Sequence, residues 1–66
     1  MLVFEVWRLV TSGEEATPLL ICVCQEFIEA LGVAQVSGDG SYWICTQEGN
    51  LLSVTICNEQ VVQVEG

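Results

Sequence analysis

The sequence predicts an α+β domain in which one helix packs on a mainly antiparallel five-stranded sheet, in the order β-α-β-β-β-β. The first ten residues and the C-terminal half are rich in β-branched and aromatic residues, and short loops containing Gly or Asn interrupt the C-terminal half. Between these parts, apolar residues recur at three- and four-residue spacing. With 66 residues, of which 52% are hydrophobic, the chain can form one small core, so we expect a single domain over residues 1–66.

The first strand is predicted over residues 1–10, which contain Val, Phe and Trp and carry apolar side chains on both faces. Residues 11–15 then form a turn. A helix is predicted from Thr17 to Gly32, because Thr can cap free amides, Pro18 suits the first helical position, and Gly often follows a helix end. The apolar side of this helix would consist of Leu20, Val23, Cys24, Phe27, Ile28 and Leu31.

Three hairpin loops are predicted after the helix, over residues 38–40, 48–50 and 58–60. With these loops, Ala34 lies opposite Ile44, Ile44 opposite Val54, and Val54 opposite Val64, so one side of the meander faces inward throughout. The first strand is expected to pair antiparallel with the last strand. A parallel pairing beside the second strand, through a helical crossover, is the alternative.

The charge of the chain is strongly negative. Arg8 is the only Lys or Arg, and the net charge is −8 because of nine acids: Glu5, Glu14, Glu15, Glu26, Glu29, Asp39, Glu48, Glu59 and Glu65. Such a surface repels nucleic acid and anionic membranes and attracts basic protein surfaces. A solvated acidic exterior without a partner is the alternative interpretation.

The residue types argue against catalysis and against a cofactor or metal. The chain has no His and no Lys, so the usual general base and the usual amine nucleophile are missing. On the predicted helix, Cys22 and Cys24 would point about 200° apart and could share neither an ion nor a disulfide. In the predicted registers, Cys45 and Cys57 are not opposite each other. We therefore expect no enzyme, no cofactor and no metal site.

The sequence gives no sign of a membrane or secretory segment. The longest apolar run, residues 19–24, has six residues where about 20 are needed to span a bilayer. The N-terminus lacks a basic region before its apolar stretch, which a signal peptide requires. A cytoplasmic location is therefore expected.

Two candidate binding surfaces follow from the predicted fold. Glu26 and Glu29 would lie on the outer side of the helix, with Glu14 and Glu15 near its start, and could form one acidic surface. Trp43 would lie on the sheet face away from the helix, and Trp7 would join it there if Phe4 and Val6 turn inward. An exposed apolar face on a sheet often marks a protein interface.

A small, lysine-free acidic chain with carboxylates from Glu5 to Glu65 resembles the phage-encoded inhibitors of bacterial defence, in particular anti-CRISPR proteins and DNA mimics. The resemblance covers the whole chain and is one of composition. It implies an inhibitor whose carboxylates replace phosphates on a basic nucleic-acid-binding protein such as a CRISPR effector complex, in the host cytoplasm if the chain is phage-encoded. The alternative is a homodimeric assembly module that uses the apolar sheet face.

Overall fold

The computed structural model describes residues 3–66 and shows one α+β unit there. These residues form one helix and one five-stranded antiparallel sheet in the order β2-β1-β3-β4-β5, which confirms the predicted fold class. The elements are β1 (Phe4–Ser12), β2 (Glu15–Cys24), α1 (Phe27–Ser37), β3 (Gly40–Thr46), β4 (Leu51–Cys57) and β5 (Gln60–Glu65). Within the described part of the chain, no helix has the length and apolar character needed to cross a bilayer.

The predicted bounds of the helix are wrong, because only residues 27–32 of the predicted segment are helical, and the order of elements is β-β-α-β-β-β. Residues 15–24 form β2, which pairs with β1 through a turn at Gly13 and Glu14, inside the predicted turn region. Thr17 and Pro18 therefore do not start a helix. Pro18 is tolerated in β2 because this strand lies at the edge of the sheet, where a missing N–H need not interrupt a ladder.

Both predicted placements of the first strand are also wrong. Met1 and Leu2, the first residues of the predicted strand, lie outside the described residues. The strand β1 lies between β2 and β3 and is antiparallel to both. This position makes β1 an inner strand and brings it directly beside β3.

The predicted hairpin registers differ from the structure in two of three cases. Ala34 is in the helix and does not face Ile44. Val54 lies opposite Tyr42 rather than Ile44, so the β3–β4 turn is centred on Glu48 rather than on Gly49, and the Thr46 amide donates to the Asn50 carbonyl across it at 2.9 Å. This two-residue shift leaves the same side chains pointing inward, because the period of a strand is two.

The predicted pairing of Val54 with Val64 is confirmed. Beyond it, an irregularity between Thr55 and Ile56 shortens the connection to two residues. These residues, Asn58 and Glu59, have φ values of 53° and 64°. Positive φ at both central positions is the signature of the type I′ turn, which matches the twist of the strands it joins.

The core lies between α1 and one face of the sheet, and its buried residues are Val6, Cys24, Ala30, Ala34, Tyr42, Ile44, Val54 and Ile56. Ala30 and Ala34 are four residues apart and fully buried, so small side chains let the helix approach the sheet closely. Two side chains of the sheet donate hydrogen bonds to carbonyls at the end of the helix. Arg8 donates from Nη1 to the Ser37 carbonyl at 2.7 Å, and Tyr42 donates from its hydroxyl to the Gly38 carbonyl at 2.6 Å.

Candidate interaction surface

The helix packs on only one face of the sheet, and the opposite face is the strongest candidate site. Val6 in β1 and its partner Ile44 in β3 point to the helix, so the next residues in each strand, Trp7 and Trp43, point away from it. We call this surface the outer face. Its members include Glu5, Trp7, Leu9, Pro18, Leu20, Val23, Trp43, Cys45, Leu51, Ser53 and Glu65.

The two tryptophans of the chain lie side by side on the outer face. Trp7 and Trp43 are direct cross-strand partners, a relation that brings β-carbons to about 4.5–5.5 Å. The same row continues to Leu20 on one side and to Ser53 and then Glu65 on the other. From the sequence, Trp7 is expected to join Trp43 on this face only if Val6 points toward the helix. Val6 is fully buried, so this condition is met.

An open groove of about 250 Å³ follows the tryptophan pair. Both indoles are half-buried, whereas Leu20 and Leu51 beside them are 43% and 42% exposed. The groove is lined by Glu5, Trp7, Pro18, Trp43, Cys45 and Leu51. Its lining is therefore aromatic and aliphatic, with one thiol and one carboxylate.

The charge on the outer face is negative. Glu5 accepts a hydrogen bond from the Trp7 indole Nε1 at 3.3 Å, and Glu65 accepts one from the Gln63 side-chain amide. Arg8, the only Lys or Arg of the chain, pairs with Tyr42 on the helix face and donates to the helix end. Burial, and then the Glu5 carboxylate, raise the pKa of Cys45 in the groove. The outer face therefore combines apolar side chains and carboxylates without a basic side chain.

The four glutamates predicted as one acidic surface are divided between two places. Glu26 takes the N-cap position of α1 without a capping side-chain hydrogen bond, and Glu29 is in the first turn. Glu14 and Glu15 are exposed at the tip of the β1–β2 hairpin. The ten residues of β2 separate the two pairs by about 30 Å. The prediction that Glu14 and Glu15 lie near the start of the helix is therefore wrong.

The predicted separation of Cys22 and Cys24 is also wrong. Both are in β2, where residues two apart point to the same face, and their Sγ atoms are 3.8 Å apart. Cys24 is buried, and burial, followed by the hydrogen bond with Cys22 and the charges of Cys22 and Glu29, raises its pKa. The sequence alone does not predict this pair, because the apolar run of residues 19–24 fits either a helix or a strand.

The other two thiols are isolated from each other. Cys45 lies opposite Leu51 and Cys57 opposite Gln60, so these cysteines do not pair across the sheet. Over residues 3–66, no three His, Cys, Asp or Glu side chains converge on a common metal position.

A second groove, of about 500 Å³, lies between the β1–β2 hairpin and the start of β3. It exists because β1 pairs with β3 only as far as Arg8, while β1 itself continues to Ser12. Its lining comprises Arg8, Leu9, Val10, Thr11, Ala16, Asp39, Gly40 and Ser41. Asp39 already accepts a hydrogen bond from the Glu59 amide at 3.3 Å. No signal in the sequence pointed to this groove, since it depends on the strand order.

Comparison with protein-family models, curated proteins and solved structures finds no match for this chain. The outer face must therefore be interpreted from its own chemistry.

Proposed function

We propose that this protein is a non-catalytic interaction module whose outer face binds a protein surface that is both apolar and basic. The observation that carries the proposal is the adjacent pair Trp7 and Trp43 on a sheet face that the helix leaves open. Tryptophan is enriched at interface hot spots, because a large ring buries much apolar area with little loss of side-chain freedom. The carboxylates of Glu5 and Glu65 then select a basic surface around that apolar centre.

Charge also favours a different protein over a second copy of this chain. A face-to-face homodimer would bring Glu5 and Glu65 of both copies into one interface, with Arg8 on the other side of the sheet in each copy. Like charges held together in a desolvated interface oppose association. The homodimeric assembly module is therefore the weaker candidate.

An acidic inhibitor is the specific form of this proposal that the net charge of −8 favours. Its partner would be a basic nucleic-acid-binding protein in the cytoplasm, such as a CRISPR effector complex. In this form, the outer face makes the principal contact. The glutamates at the helix start and the hairpin tip add long-range attraction that increases the association rate.

Intrinsic fluorescence tests the proposal, because the only two tryptophans of the chain are both in the site. The protein is titrated with a peptide of alternating Arg and Leu and, as the matched control, with a peptide of alternating Glu and Leu. The Arg peptide should shift the emission to shorter wavelength with saturation and should bind more weakly at higher ionic strength. The Glu peptide should produce no shift. Equal binding of both peptides, or of neither, would contradict the proposal.

Two variants of equal charge separate a local effect from the effect of net charge. Glu5→Gln/Glu65→Gln should weaken binding of the Arg peptide by about tenfold, since two rim charges contribute up to about 1 kcal/mol each. Glu14→Gln/Glu15→Gln removes the same number of charges at the hairpin tip and should weaken binding far less, through the association rate alone. Trp43→Ser should abolish saturable binding while circular dichroism still shows the fold. If both double variants weaken binding equally, the outer face is not the site.

A further inference from the structure

We propose that Cys22 and Cys24 form a two-coordinate site for a soft monovalent metal cation of the Cu(I) class. The two Sγ atoms are 3.8 Å apart on the same face of β2. Soft thiolate ligands select such ions over hard cations, which prefer oxygen. Since no third His, Cys, Asp or Glu completes a cluster within residues 3–66, the geometry fits an ion that accepts two ligands rather than four-coordinate zinc.

The distances favour a bridging cation over a disulfide. A linear bis-thiolate separates its sulfurs by twice one metal–sulfur bond, roughly 4.6 Å if thiolate–zinc bonds of about 2.3 Å are taken as a guide. The observed separation of 3.8 Å needs a small opening to reach that value. A disulfide requires the sulfurs to close to about 2.05 Å, and residues two apart in a strand have Cα atoms about 6.6–6.8 Å apart, at the upper limit for such a bond.

The surroundings of the pair suit a cation that enters from the sheet edge. The strand β2 is the edge strand, and Cys22 is half-buried, so one sulfur is accessible from solvent. Cys24 is buried against the core, opposite Phe4.

Binding requires no oxidant or reductant. Each thiol gives its proton to solvent, and each resulting thiolate donates an electron pair to the cation, so two protons leave for one ion bound. The oxidation state of sulfur and of the metal does not change. The inference concerns the helix side of the sheet edge and is independent of the outer face.

Silver(I) is a suitable probe because it is soft, monovalent and not readily oxidised. The variant Cys45→Ser/Cys57→Ser retains only the Cys22–Cys24 pair and is mixed with silver(I) without oxygen. Native mass spectrometry should show one ion per chain. Treatment with N-ethylmaleimide should leave the half-buried Cys22 thiol unmodified when the ion is bound and modify it when the ion is absent. Circular dichroism of each variant establishes that it is folded.

Single substitutions test whether the two sulfurs act together. Adding Cys22→Ser or Cys24→Ser to that variant should weaken silver(I) binding by a factor of about 10² or more, because the second thiolate binds intramolecularly. The matched control Cys22→Ser/Cys24→Ser, which retains Cys45 and Cys57, should not bind at the concentrations that saturate the pair. The inference is overturned if the single variants bind as tightly as the pair, if one ion requires two chains, or if the pair forms a disulfide under these conditions instead of binding.

Discussion

Replacing Arg8 by Met should destabilise the protein strongly, although the Arg8 side chain lies on the opposite side of the sheet from the outer face. The guanidinium donates to the Ser37 carbonyl at 2.7 Å and lies 5.7 Å from the centre of the Tyr42 ring. The charged hydrogen bond contributes about 1.5–3 kcal/mol and the cation–π contact about 0.5–1 kcal/mol in general. Since both depend on one half-buried group, their effects overlap, and we expect a combined loss of about 2–3 kcal/mol.

This loss is large for a chain of 66 residues, whose free energy of unfolding is about 3–10 kcal/mol at 0.05–0.15 kcal/mol per residue. Urea unfolding followed by circular dichroism measures it, and the melting temperature should fall by about 10–20 °C. Arg8→Lys keeps the charge but not the planar donor fork, so it should recover only part of the stability. If the free energy of unfolding of Arg8→Met is within about 0.5 kcal/mol of that of the unchanged protein, the assigned role of Arg8 at the helix end is wrong.

Four further predictions concern stability. Gly32→Ala should raise the free energy of unfolding by about 0.5–1 kcal/mol, because Gly32 is inside α1 and an added β-carbon meets no atom within 4 Å; a loss of stability in thermal melts would argue against this helix. Tyr42→Phe should lower the free energy of unfolding by about 1 kcal/mol, because the Gly38 carbonyl loses its donor; an unchanged midpoint of urea unfolding would show that this hydrogen bond does not stabilise the protein. Stability should fall as pH rises above about 8.5, because the unfolded chain ionises its thiols there while Cys24 and Cys45, whose pKa values are raised, keep their protons; a flat profile to pH 10 would contradict the burial of these thiols. Sodium chloride at about 0.5 M should raise the melting temperature by screening the repulsion among nine acids, and a decrease would show that attraction dominates.

The helix illustrates what the sequence could not decide. Residues 17–24 fit a capped helix by pattern, but they pair with β1 as an edge strand, where β-branched residues are equally at home. The true helix ends at Ser37 rather than near Gly32, and Ile28 and Val36 on it are 75% and 86% exposed. Apolar residues all around a helix leave no clear period to detect. The one local signal was the spacing of Ala30 and Ala34, which suits close packing on a sheet.

The strand faces were more predictable than the strand order. Tyr42, Ile44, Val54 and Ile56 point inward as alternation predicts, because a register shift by two preserves the faces. Which strands are neighbours depends on where the helix lies in the chain. The sequence pattern predicts it from Thr17 to Gly32, whereas it is formed by Phe27–Ser37. The direct pairing of Trp7 with Trp43 therefore emerged only from the structure.

The most direct test of the proposed outer-face interface is a nitrogen–proton NMR titration of labelled protein with the Arg–Leu peptide. The spectrum contains two indole Nε1–H signals, from Trp7 and Trp43, and the Trp7 indole donates to Glu5. We expect both indole signals and the backbone amides around them in β1 and β3 to shift with saturation, while amides at the hairpin tip and the helix start remain in place. Saturable shifts centred on Glu26 and Glu29, or on Glu14 and Glu15, with both indole signals unchanged, would contradict the outer face as the binding site.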